Sequence, residues 1–144
     1  MLKTKLLHPE ILRVLGSAGH GSKVLIADGN YPFTTGSPET ASKVFLNLMP
    51  GLPKVTDVLE ALVSAIPIEA AEVMVPDSDQ RPEIFAEFEA LLSDGVGLTE
   101  HSRFEFYDVA RSHETTLVIA TAEQRRYANL LLTIGVVKLP DDNL

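Results

Sequence analysis

The chain has 144 residues, 20 acidic against 12 basic side chains and a formal net charge of -8. That balance excludes the basic footprint that a general nucleic-acid or anionic-membrane surface requires. Cysteine is absent, which removes disulfides and thiolate chemistry. The length suits one domain over residues 1–144 with its own hydrophobic core. A hydrophobic fraction of 45% is high for a small acidic domain, so part of the apolar surface is expected to be buried between subunits of a homo-oligomer.

At the amino terminus Lys3 and Lys5 precede only Leu6-Leu7 before His8-Pro9-Glu10 interrupts. This is too short for a signal-peptide core or a membrane span, and a cytoplasmic location is the expectation. Pro9 suits the first turn of a helix, with Ile11, Leu12 and Leu15 on one face and Gly16 and Gly19 ending it. Glycines then flank His20, giving the backbone tight-turn freedom and removing side chains that would screen the imidazole, so His20 is expected to face a cavity.

Val24-Leu25-Ile26-Ala27 is a continuous apolar run, as in a strand covered on both faces of an α/β sheet. Asp28-Gly29 reads as the turn at its carboxyl end, where open α/β sheets place ligands. Tyr31 to Pro38 has the content of an irregular loop, and Lys43 to Leu48 reads as a strand before Pro50-Gly51 and Pro53. Val58, Leu59, Leu62, Val63 and Ile66 recur at helical spacing after Thr56 and stop at Pro67.

Glu72 to Val75 is a short strand, and Asp77 to Gln80 a loop with cap candidates. A helix starting near Pro82-Glu83 buries Ile84, Phe85, Phe88, Leu91 and Leu92 and ends at Asp94-Gly95; with the carboxyl-terminal strand it is a candidate subunit contact. Phe104 to Ala110 reads as a short helix, Thr116 to Thr121 as a strand and Leu130 to Thr133 as the last strand, and the alternation favours a layered α/β fold. Phe104 and Phe106 are read as packing residues.

Gly16-Ser17-Ala18-Gly19-His20-Gly21 precedes its strand and has the wrong glycine spacing for a dinucleotide fingerprint. His8, His20, His101 and His113 lack the spacing of a helix-borne metal site, so no metal is assigned. Nothing resembles a nucleophile elbow.

Three segments remain: the stretch from Gly19 to Pro32, Arg103-Phe104-Glu105-Phe106-Tyr107, and Arg125-Arg126-Tyr127-Ala128-Asn129-Leu130. With these in this order, the chain resembles the ribose pyranase / fucose mutarotase (RbsD/FucU) family from His8-Pro9-Glu10 through Gly135-Val136. The resemblance implies a single-domain three-layer α/β fold with a mostly parallel central sheet. It also implies metal-independent mutarotation of a monosaccharide without a cofactor, and rings of subunits, commonly decamers of two stacked pentamers.

By the same resemblance His20 is the proton donor, and Asp28, Arg103, Tyr127, Ala128 and Asn129 bind the sugar. Tyr31, Glu105 and Tyr107 are further candidates. Asp28 can accept from two hydroxyls, and would also fix the imidazole tautomer if the two side chains meet. The Arg103 to Tyr107 motif matches the fucose branch, making L-fucose the first substrate expected. D-ribose pyranase activity is the alternative, and a non-catalytic sugar-binding or transport-accessory role the third reading. Acid/base work suits the residues: the anomeric hydroxyl loses a proton, the ring oxygen gains one, and the open aldehyde recloses on its other face.

Overall fold

The computed structural model describes residues 1–144. Its first helix, α1 (Pro9–Ser17), starts where proline's fixed φ suits the first turn. His8 caps it: the imidazole Nδ1 accepts the N–H of Ile11 at 3.3 Å. The remaining elements are β1 (Lys23–Ala27), β2 (Ser42–Phe45), α2 (Val55–Val63), β3 (Ile68–Met74), α3 (Ile84–Leu91), β4 (Leu98–His101), α4 (Arg103–Ala110), β5 (Thr115–Ala120) and β6 (Leu130–Ile134). No helix is long and apolar enough to cross a membrane.

The six strands form one sheet in the order β2-β5-β1-β6-β3-β4. Five run parallel; β6 runs against both its neighbours, β1 and β3. Leu130, the first residue of β6, therefore lies beside Ile26 and Val73, at the carboxyl ends of the parallel strands. The segment entering β6 is thus delivered to the end of the sheet where β1 delivers Asp28.

Alternation along β1 divides the core into two. Val24 and Ile26 face the larger cluster, against Ile11 and Val14 of α1, Leu59 and Leu62 of α2, and Phe85 and Phe88 of α3. Leu25 and Ala27 face the smaller one, with Leu131, Met74, Tyr31 and the α4 residues Phe106 and Ala110. Helices on both faces make the expected three layers and explain the unbroken apolar run of β1.

Several local expectations are refined or corrected. Phe85 and Phe88 are fully buried, as expected, so a subunit contact on α3 would use its exposed face, with Ala86, Glu87, Glu89 and Ala90. β6 lies inside the sheet with Leu130, Leu131 and Leu132 fully buried, and is no free surface. Phe104 is 73% exposed while Phe106 is wholly buried. Two residues apart on a helix they point in different directions, so only Phe106 enters the core, while Phe104 lies edge-on to Tyr107 at the surface. β4 was not foreseen from the sequence, and β3 begins four residues before the expected Glu72.

A half-buried ionic cluster spans the sheet between β1, β3 and β4. Glu72 Oε2 accepts from Lys23 Nζ at 3.0 Å, and Glu72 Oε1 lies 2.9 Å from His101 Nε2. Burial by itself would raise the Glu72 carboxyl, but the hydrogen bonds from His101 and Lys23 outweigh it and hold its pKa below the ordinary value. A carboxylate lowered in the folded state stabilises the fold above its ordinary pKa and loses that contribution as pH falls through the lowered value. Glu72→Gln is therefore expected to cost about 1–3 kcal/mol near neutral pH in urea unfolding, with the difference from wild type shrinking in acid.

Candidate active site

The turn after β1 fixes a carboxylate. Asp28 is 3% exposed; its Oδ1 accepts the N–H of Asn30 at 3.0 Å and its Oδ2 the N–H of Ala128 at 3.3 Å. In return the Asp28 N–H donates to Asn129 Oδ1 at 2.8 Å. Desolvation raises the Asp28 pKa above its ordinary value, against the pull of backbone hydrogen bonds from Asn30, Ala128 and Tyr31. Each carboxylate oxygen retains acceptor capacity for a ligand.

Around Asp28 lies a cavity of about 320 Å3, within the ~300–1,000 Å3 range of small-molecule sites. Arg103 and Tyr107 reach it from the first two turns of α4, Met74 from the end of β3, and Arg126, Tyr127 and Asn129 from the segment entering β6; Asn30 and Tyr31 complete the lining. Tyr127 adopts a φ of 60°, a conformation that costs a non-glycine residue about 1–3 kcal/mol and is held only by its surroundings.

Tyr31 is buried, and its hydroxyl donates to the Gly36 carbonyl at 2.7 Å. A Cβ on Gly36 would sit 2.7 Å from the Tyr31 ring, so only glycine lets the loop close over this tyrosine. Burial pushes the Tyr31 phenol well up, keeping it a neutral donor.

The structure thus gathers Asp28, Arg103, Tyr127 and Asn129 with the further candidates Tyr31 and Tyr107. Ala128 is fully buried and its N–H is engaged by Asp28. Glu105 closes a capping box at the start of α4, accepting the Ser102 N–H at 3.0 Å. That hydrogen bond explains its position at the helix terminus.

His20 stands apart. It occupies the turn before β1, where Gly21 takes a φ of 84°, whereas Asp28 follows the other end of the strand. At about 3.3 Å per residue the five residues of β1 separate these ends by roughly 16 Å. Within one chain the imidazole faces no enclosed cavity and does not meet Asp28: its side chain is 59% exposed, and Nε2 lies 3.0 Å from each Glu69 oxygen. A carboxylate can only accept, so the tautomer with Nε2–H donating leaves Nδ1 outward.

Glu69, Asn30, Met74 and Arg126 were not singled out in the sequence. The partners His20 and Glu69 lie 49 residues apart, and only the pairing of β6 with both β1 and β3 brings them together. Arg126 stood beside the recognised Tyr127-Ala128-Asn129 segment, which was the available signal for it.

The fold and the pocket define an α/β protein with a polar-lined cavity of small-molecule size at the carboxyl ends of a mostly parallel sheet. Residues 1–137 match the RbsD / FucU transport protein family, and the chain belongs to that family. It is 31% identical over 137 residues to a D-ribose pyranase of Geobacillus kaustophilus, covering 94% of this chain and 95% of that one. A fucose mutarotase of Homo sapiens is 30% identical over 147 residues, covering 93% of this chain and 92% of its own. The structure of Bacillus subtilis RbsD complexed with D-ribose superposes with a TM-score of 0.82 at 28% identity, covering 96% of this chain and all of that one.

Asn129→Ala is expected to destabilise the protein by about 1–3 kcal/mol, since it leaves the Asp28 N–H without its side-chain acceptor. Chemical denaturation measures this directly; an unchanged midpoint would show that the bond does not hold the turn.

Proposed function

We propose that the protein is a monosaccharide mutarotase that opens and recloses the sugar hemiacetal by proton transfer, with His20 as the acid. Asp28, Arg103, Tyr127 and Asn129 bind the sugar, and Ala128 contributes through its backbone. The carrying observation is the Asp28 pocket, where a fixed carboxylate acceptor faces arginine and tyrosine donors across a cavity of about 320 Å3. Sugar hydroxyls need that mixture, because each both donates and accepts.

Mutarotation already proceeds in water, and positioned proton transfer worth about 10²–10⁴-fold suffices. His20 acts as acid in its imidazolium form: with Nε2–H donating to Glu69, the Nδ1 proton passes to the ring oxygen while a water takes the anomeric hydroxyl proton. The ring C–O bond then breaks to give the aldehyde; reclosure on the other face reverses both transfers and returns the proton to Nδ1. Glu69 is a positioning residue, holding the imidazole through Nε2.

His20 and Asp28 belong to one site only if a second chain supplies one of them. The surface supports such an assembly. A compact monomer of 15.7 kDa would expose about 7,300 Å2, whereas this chain exposes 8322 Å2. Among its exposed side chains are Phe45, Leu48, Met49, Phe104 and Val137, each more than half accessible. A symmetric ring, with decamers as the expected size, would cover such surface and bring His20 of one copy to the pocket of the next.

Arg103-Phe104-Glu105-Phe106-Tyr107 favours L-fucose as the sugar. The D-ribose pyranase relatives favour the second reading, in which reclosure by a different hydroxyl interconverts pyranose and furanose. Exchange NMR with both sugars separates them: faster catalysis on ribose selects the pyranase, and sugar binding without any exchange selects a transport-accessory role.

His20→Ala is expected to reduce anomer exchange by about 10²-fold or more while the protein stays folded. Mixing unfolded His20→Ala and Asp28→Asn chains and refolding them together should restore exchange that neither has alone, since mixed assemblies contain some intact sites. Failure of complementation, with mixed assemblies demonstrated, would overturn the site shared between chains.

A further inference from the structure

The six arginines of the chain divide into two groups. Arg13 pairs with Glu10, Arg81 with Glu89, and Arg125 with Glu123 and Glu87, while Arg111 donates to the Thr35 carbonyl at 3.0 Å. Arg103 and Arg126 have no carboxylate partner, although acidic residues outnumber basic ones 20 to 12. Both line the Asp28 cavity.

Only one carboxylate lines that cavity, Asp28, and it is held at the buried end by the N–H groups of Asn30 and Ala128. Arg103 is steadied instead by ring faces, with its guanidinium carbon 5.7 Å from the Phe104 centroid and 5.8 Å from that of Tyr107. Tyr107 is also its side-chain hydrogen-bond partner and the main cause that raises the Arg103 pKa above its ordinary value, but a guanidinium carries five N–H donors, so others remain for a ligand. The nearby Asp77 is exposed and makes no ion pair with it. Arg126 also borders an open groove of about 660 Å3 beside the 76–83 segment, so there is room for a substituent beyond a sugar ring.

We infer that Arg103 and Arg126 form a subsite for an anionic substituent, so that monosaccharides carrying a carboxylate or phosphate on the exocyclic carbon bind better than the neutral sugars of the same ring configuration. This rests on the sugar-site reading of the Asp28 pocket and narrows its substrate class. A neutral pyranose offers two guanidinium groups only hydroxyl acceptors, whereas a carboxylate or phosphate accepts from the guanidinium fork in charge-assisted, bidentate fashion. Ring opening needs a free anomeric hydroxyl, so the anion belongs at the far end of the sugar; hexuronates and hexose 6-phosphates qualify and sugar 1-phosphates do not.

Titration calorimetry on the assembled protein tests this with matched pairs: D-galacturonate against D-galactose, D-glucuronate against D-glucose, and D-glucose 6-phosphate against D-glucose. The anionic member of at least one pair should bind at least about tenfold more tightly, the size of one hydrogen bond to a charged group. Preference in the uronate pairs alone identifies a carboxylate subsite, and in the 6-phosphate pair alone a phosphate subsite. Added salt should shrink the ratio, and Arg126→Leu, checked for folding by circular dichroism, should bring it close to one.

Equal, weaker or unmeasurable binding of the anionic member in every pair overturns the inference, as does a preference that survives both Arg126→Leu and Arg103→Leu. Anomer exchange of L-fucose and D-ribose on the same preparation reports separately on catalysis. Neutral-sugar exchange without anion preference removes the subsite alone, and anion preference without any exchange removes the mutarotase reading alone.

Discussion

Asp28 ties together three stretches of chain that are otherwise remote: the end of β1, the turn through Asn30, and the Tyr127–Asn129 segment about 100 residues later. Burying an ionised carboxylate is costly unless its oxygens are satisfied, and here two backbone N–H groups do so while the Asn129 side chain satisfies the Asp28 N–H. The arrangement depends on the direction of β6. Because β6 runs antiparallel between β1 and β3, the residues before it arrive at the carboxyl ends of the parallel strands. A parallel sixth strand would deliver Tyr127 and Asn129 to the opposite end of the sheet. The positive φ of Tyr127 belongs to the same constraint: the chain bends sharply there to enter the sheet, and the bonds on either side of Asp28 hold the bend.

That polarity also sets His20 apart. β1 is a rigid spacer with the histidine turn at one end and the carboxylate turn at the other, and no side-chain motion closes a gap of roughly 16 Å. Joining the two chemistries therefore calls for a contact between chains in which unlike regions meet. In a ring each interface would form one site. A two-fold pair in which those regions meet reciprocally would form two at once. In either geometry the proposed shared site would require the exposed position of His20, since an imidazole packed into its own subunit could not reach a neighbour's cavity.

The legibility of the sequence follows the physics of each element. β1 and β5 were readable because burial on both faces leaves near-continuous apolar runs, and α1, α2 and α3 because one apolar face repeats at helical spacing. β4 was not: it is an edge strand, Leu98–His101, with no fully buried residue and polar groups at three of its four positions. The first half of β3 is hidden in the sequence because Glu69 interrupts the apolar pattern between Ile68 and Ala70, and Glu72 sits within the expected strand as a second acid. Both acids answer bases elsewhere, His20 for one and Lys23 with His101 for the other. Asp28, Arg103, Tyr127 and Asn129 were legible as a family pattern, and the fold brings them to one cavity. The Glu69 partner of His20 was not, because their proximity is set by strand order and not by spacing.

Charge placement explains how an acidic chain keeps a cationic pocket. Glu10, Glu87, Glu89 and Glu123 neutralise arginines outside the cavity, while Glu69 and Glu72 face the histidine and lysine clusters. The net charge of -8 disfavours approach of an anion at long range, but that field is screened over about 8 Å at physiological ionic strength. Inside the cavity Arg103 and Arg126 are within direct reach of a ligand, and hydrogen bonds to a charged group exceed the residual repulsion of screened, distant carboxylates. A neutral sugar has no net charge on which that field could act, so its binding depends on hydrogen-bond geometry, whereas an anionic one would gain from the local charges that the overall balance conceals.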